Sequence, residues 1–139
     1  MNAKNLFVID ANIIVSAFLA KEGKARQALD KAQTNGVVLI SVEVLSELEE
    51  VLSRPKFDKY LTVTERKSLL ARLIKTLQFV DIEETVKICR DPKDDKYLEL
   101  AVNGKATYIV SGDSDLLILN PFKNIPILKI QDFLALDFL

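Results

Sequence analysis

Asp113 and Asp115 stand two residues apart in the stretch YIVSGDSDLL (108–117), directly after an apolar run. Asp10 follows the apolar run LFVI in the same way, and Asp94 and Asp95 are adjacent in DPKDDKYLELA. Glu43, Glu47, Glu49 and Glu50 crowd the stretch SVEVLSELEEVL. Clustered carboxylates are costly in a fold unless they are protonated or neutralised by a cation. A hard divalent ion such as Mg²⁺ or Mn²⁺ prefers oxygen ligands of this kind. Held there, it can activate water and stabilise charge on a phosphate.

What the sequence lacks narrows the chemistry further. There is no histidine, so a Ser-His-Asp triad, an imidazole base and a His-ligated zinc are all excluded. One cysteine, Cys89, excludes an internal disulfide and a Cys-rich zinc site. Packing is the expected role for its thiol. A net charge of −1 gives no whole-molecule basic field for nucleic acid. The basic residues fall in three groups: Lys21, Lys24 and Arg26; Arg54, Lys56 and Lys59; and Arg90, Lys93 and Lys96. Most of these read as solubilising, and the first and third lie near the acids in sequence, where they could touch phosphates. No apolar run reaches the length of a membrane span, and MNAKNLFVID does not read as a signal peptide. A cytoplasmic protein is expected.

The elements that must position the acids follow from periodicity and caps. Strands are expected at 6–10, 37–41, 79–82, 107–111 and 125–130. Helices are expected at 12–20 with Asn12 as cap, at 24–36, at 41–53 with Ser41 as cap, and at 62–78 with a Thr62–Glu65 capping box. Two more are expected at 91–104, with Asp91 as cap, and at 131–139. Strands alternating with helices imply an α/β fold with a central parallel sheet and helices on both faces. Sites in such folds form beyond the carboxyl ends of the strands, where Asp10 and Asp113 both fall. On the helix at 41–53, Glu47 and Glu49 flank the apolar stripe, while Glu43 and Glu50 point to solvent. Periodicity alone does not choose between Glu47 and Glu49. Asp94 has the bland alternative of favouring a helix N-terminus, and Asp81 has no assigned role. Residues 1–139 read as one domain, without repeat or linker.

FVIDANIIVSAFL, VLSELEEVLSRPKF, CRDPKDDKYLELAVNGKATYIVSGDSDLL and IPILKIQDFL together resemble PIN-domain proteins. Within them, the nearest likeness is to the VapC-like toxins of toxin–antitoxin pairs. The resemblance runs in order along nearly the whole chain. It implies a three-layer α/β/α fold and metal-dependent cleavage of RNA phosphodiesters. By the same resemblance, Asp10, Asp95 and Asp113 hold Mg²⁺ or Mn²⁺, with Asp94 a close rival of Asp95. Asp115 is a further ligand or supports one. Glu47 rather than Glu49 is the helical glutamate, holding a second ion or orienting the attacking water. Asn12 and Ser111 support the site. Water as nucleophile would leave 5′-phosphate and 3′-hydroxyl ends. Partners implied are RNA, a cognate antitoxin and a second copy in a homodimer. Apolar surface for the last two is expected from the helices at 41–53 and 65–78.

Two other classes weigh against this reading. A phosphatase with Asp10 as nucleophile would want a second Asp two residues on, where Asn12 stands. A noncatalytic module of the phosphate-accepting receiver type would want an acid pair after the first strand, which is absent. A PIN fold that binds RNA or a partner without cutting is the remaining alternative.

Overall fold

The computed structural model describes residues 4–138. Five strands form one sheet, all parallel: β1 (Asn5–Ile9), β2 (Gly36–Ile40), β3 (Leu77–Phe79), β4 (Tyr108–Val110) and β5 (Ile127–Leu128). Their order across the sheet is β3-β2-β1-β4-β5. The chain winds outward one way from β1 to β3, then returns to the other side of β1 with β4. The reversal between β1 and β4 is the point at which open α/β sheets leave a crevice.

Helices cover both faces. α1 (Ala11–Leu19), α2 (Lys24–Asn35), α3 (Val42–Leu52), α4 (Val63–Ile74) and α7 (Ile130–Leu134) lie towards one face. Their apolar residues pack with Phe7, Ile9, Val38 and Val110 of the sheet. α5 (Asp95–Gly104) and α6 (Ser114–Leu117) cover the other face, on Val8, Leu39, Ile109 and Ile127. In β1 and β4, successive residues thus alternate between two cores, as the pleat requires. α3 reaches both, with Val44 in one core and Leu48, Val51 and Leu52 in the other. The three-layer α/β architecture agrees with the sequence expectation. Among the described residues, no helix is long and apolar enough to cross a membrane.

Several caps follow the sequence. The Ser41 hydroxyl accepts from the Val44 N–H, and Thr62 and Glu65 form the reciprocal capping box. α1 differs: Asp10, not Asn12, caps it, accepting from the Asn12 N–H at 3.0 Å. α1 is apolar nearly all round because it is buried nearly all round, which hid its helical period. α4 ends at Ile74 rather than at 78, where Thr76 turns its hydroxyl back onto the Leu73 carbonyl at 2.6 Å. β3 therefore begins at Leu77, two residues before the expected start, and ends where β2 ends, with Ile40 paired to Phe79. The expected terminal helix at 131–139 is the shorter α7. Lys31 of α2 holds it by donating to the carbonyls of Phe133, Leu134 and Leu136.

Gly36 opens β2 opposite Asn5 of β1. A Cβ there would lie 2.0 Å from the Asn5 carbonyl oxygen, which belongs to backbone and cannot swing aside. Gly36→Ala is therefore expected to cost about 3 kcal/mol by forcing the two strands apart. Urea denaturation should show a lower midpoint, and an unchanged midpoint would mean that β1 and β2 separate freely.

Candidate metal centre at the sheet switch point

Register brings the first two site residues together. Ile9 pairs with Val110, so Asp10 and Ser111 are the next residues beyond the carboxyl ends of β1 and β4. The Asp10 N–H continues the ladder to the Val110 carbonyl at 3.0 Å. The Ser111 hydroxyl, fully buried, donates to Asp10 Oδ2 at 2.8 Å and accepts from the Asp113 N–H at 3.0 Å. Asp10 is 6% exposed. Burial raises its pKa, against the Asn12 N–H and Ser111 hydroxyl that stabilise its charge, and nearby Glu47 and Asp113 raise it further. Asp10, Asn12 and Asp113 line one open cavity of about 380 Å³ with Ser16, Gly112 and Ile130.

Asp113 caps α6, accepting from the Asp115 N–H at 2.9 Å, so the two-residue spacing is a turn that points both carboxylates one way. Asp94 meets them from the turn just before α5. Oxygens of Asp94, Asp113 and Asp115 all lie within 4.8 Å of one another. Asp94 Oδ2 is buried with no hydrogen-bond partner. Burial and the Asp113 carboxylate push the Asp94 pKa up to about 7, with Asp91 and Asp10 adding to the shift. Three convergent carboxylates, one with a buried orphan oxygen, are the donor set a hard divalent cation takes.

Asp95 does not join this group, contrary to the sequence expectation. Its Oδ1 accepts from the Ile88 and Cys89 N–H groups at 3.1 and 2.8 Å. Burial works to raise its pKa but is outweighed by those two donors, and the net shift is downward. The reason lies in α5 as a whole. Asp95, Glu99 and Asn103, four apart, share a helix face. Glu99 accepts from the Val86 N–H, and the Asn103 Oδ1 accepts from Glu83 and Glu84. This polar ladder replaces the strand partners that segment 83–89 lacks. The four-residue spacing carried that signal in the sequence, unread. Cys89 sits against the ladder; burial and Asp95 push its thiol up to about 12, which leaves it unreactive at neutral pH.

Glu47 approaches from α3, while Glu43, Glu49 and Glu50 are exposed. Neighbours on α5 engage both Glu47 oxygens. Lys96 Nζ lies 3.0 Å from Oε2, and the Tyr97 hydroxyl donates to Oε1. The same hydroxyl accepts from the Ala11 N–H at 3.1 Å. Tyr97, 2% exposed, thus ties α3 to the start of α1, and sequence reading missed it. Burial first, then Asp10 and Glu47, raise its pKa, so it stays a donor. Arg90 pairs with Asp115. Another cavity, about 750 Å³, lies among Val42, Ile88, Lys93, Asp95 and Lys96. It touches none of Asp10, Asp94 and Asp113, so the chemistry and not the volume locates the site.

A family model described as a PIN domain matches residues 7–115. An uncharacterized protein of Methanocaldococcus jannaschii is 30% identical over 114 residues, which span 81% of this chain and 73% of that protein. VapBC2 from Rickettsia felis, in a crystal structure bound to a DNA fragment from their promoter, superposes with TM-score 0.62 at 16% identity. The match covers 89% of this chain and 98% of that one. PAE2754 from Pyrobaculum aerophilum superposes with TM-score 0.62 at 13% identity, covering 94% and 88%. These two likenesses concern the fold.

Two outcomes follow from the geometry. Tyr97→Phe leaves the buried Ala11 N–H without a partner and should cost about 2 kcal/mol in urea denaturation; no loss would mean that the hydroxyl is dispensable. Asp94 binds its proton more tightly folded than unfolded. In chelator, its contribution to stability is full below about pH 4 and is lost as pH rises towards about 7. The melting temperature of Asp94→Asn should accordingly fall less over that span than that of the parent. Parallel curves would show that Asp94 does not hold a proton there.

Proposed function

The chain belongs to the PIN domain family, and from that premise we propose that it is a divalent-metal-dependent endoribonuclease, the toxin of a toxin–antitoxin pair. One observation carries the reading: Asp94, Asp113 and Asp115 converge beside buried Asp10 at the sheet's switch point. Asp94, Asp113 and Asp115 would hold Mg²⁺ or Mn²⁺, with Asp10 closing the site from behind. The buried orphan oxygen of Asp94 fits that role. Such an ion supplies Lewis-acid stabilisation of the charge that builds on a phosphate and lowers the pKa of water.

The protein's own groups do the rest. Ser111 and the Asn12 N–H hold the Asp10 carboxylate in one orientation. Tyr97 and Lys96 hold Glu47 from two sides, so its carboxylate can orient a water or accept its proton with little reorganisation. With no histidine in the chain, Glu47 is our candidate for that part. Asn12 and Gly112 line the open wall through which the RNA strand would reach the acids. Asp95 anchors segment 86–89 instead of a cation. Residues 1–139 act as a single catalytic domain in the cytoplasm. The exposed apolar residues Tyr60 and Val63, with the groove of Leu52 and Leu70 between α3 and α4, offer the surface for an antitoxin or a second copy.

A mixed pool of structured and single-stranded RNAs, incubated with Mn²⁺, Mg²⁺ or chelator, tests this. Cutting should need metal. Asp10→Asn, Asp94→Asn and Asp113→Asn should each lower it by roughly 100-fold or more. Asp95→Asn should keep most of the activity and lower the melting temperature. A dead but fully stable Asp95→Asn beside an active Asp94→Asn would reverse the assignment, and RNA left intact by folded protein would sink the nuclease.

A further inference from the structure

The acids at the centre differ in what offsets their charge. Glu47 has Lys96, and both side chains are mostly buried. Asp94 and Asp113 form no ion pair with another described residue. Asp115 has Arg90 in a two-pronged contact, Nε 3.1 Å from Oδ1 and Nη2 3.2 Å from Oδ2. The Arg90 side chain is 85% exposed, against 17% for Lys96. With its guanidinium in water, this pair is more readily exchanged than the buried Lys96–Glu47 pair. The backbone beside Arg90 is fixed: Asp91 caps the turn Pro92–Asp94, and the Asp95 carboxylate holds the Cys89 N–H. A guanidinium on a fixed stem, loosely held by one carboxylate of the cluster, can leave it without disturbing the fold. Its planar fork matches two phosphate oxygens as well as it matches a carboxylate.

We propose that Arg90 is a substrate-contacting residue parked on Asp115. When Asp115 turns to a divalent ion shared with Asp94 and Asp113, the guanidinium is released to grip a phosphate of the RNA strand beside the scissile one. The ion and the guanidinium therefore compete for Asp115, so the grip on RNA becomes available as the site fills. This rests on the nuclease reading above.

The test uses the whole chain and two probes. Calorimetric titration with MnCl₂ alone compares the parent with Arg90→Ala and Lys93→Ala, the second removing a nearby positive charge that holds no acid of the cluster. Arg90→Ala should bind Mn²⁺ roughly fivefold tighter or more, and Lys93→Ala much less so. In chelator, a fluorescent single-stranded oligoribonucleotide is titrated with the parent, Asp115→Asn, Arg90→Ala and the double variant. Asp115→Asn should tighten RNA binding when Arg90 is present and lose that gain when it is absent. Melting temperatures near the parent's would show that these exposed changes leave the fold intact. Unchanged Mn²⁺ affinity in Arg90→Ala, an equal gain from Lys93→Ala, or an Asp115→Asn gain that persists without Arg90 would each overturn the proposal. A parent protein that takes up no Mn²⁺ at millimolar concentration would instead overturn the metal site itself.

Discussion

Mutual repulsion among carboxylates is the constraint that organises this molecule. Asp10, Asp94, Asp113 and Asp115 meet at one sheet edge: the Asn12 N–H and Ser111 hold Asp10, the Asp115 N–H holds Asp113, exposed Arg90 holds Asp115, and Asp94 Oδ2 has no partner. Ser111 joins two of them, donating to Asp10 and accepting from the Asp113 N–H. That bridge exists because β1 and β4 are neighbours in register, which in turn needs the chain to return to the middle of the sheet after β3. Parallel order, burial of both sheet faces and the placing of charge are therefore one arrangement seen at three scales.

α5 organises the other side of the centre. Its buried face, with Leu98, Leu100 and Ala101, fastens it to the sheet. Its polar ladder of Asp95, Glu99 and Asn103 fastens segment 83–89 to it. A loop held by side chains in this way can pass beside the acids without adding a strand to the sheet. Arg90 stands at the end of that loop, and Asp94 at the start of the helix that secures it. The stiffness of the backbone there contrasts with the freedom of the guanidinium, which is the combination a residue needs to change partners in place.

Much of this was legible in the sequence, and the exceptions have physical causes. The strands β1, β2 and β4 are buried on both faces, so they read as plain apolar runs. Ser41 and Thr62 cap as their spacing with the following residues implies. β3 was misplaced because Thr76 stops α4 through a side-chain bond that periodicity does not register. α6 escaped notice because four residues give no period to read. The sequence left Asp94 and Asp95 as rivals for a subtler reason. Pro92–Asp94 forms a 3₁₀ turn before α5 begins, and a 3₁₀ turn advances about 120° per residue where an α-helix advances about 100°. The facing of either acid depends on where one geometry yields to the other. Sequence pattern does not mark that point.

The four successive residues Asp94, Asp95, Lys96 and Tyr97 are each aimed at something different in turn: the carboxylate cluster, the 88–89 backbone, one oxygen of Glu47, and the other Glu47 oxygen together with the Ala11 N–H. Helical rotation spreads them around the axis, so their order in the chain is also their compass bearing. Substituting one of them leaves the direction of the other three unchanged. Inserting or deleting a single residue just before Leu98 would turn all four by about 100° at once. This stretch is thus open to change in chemistry and closed to change in length, a constraint on how relatives of this chain can diverge.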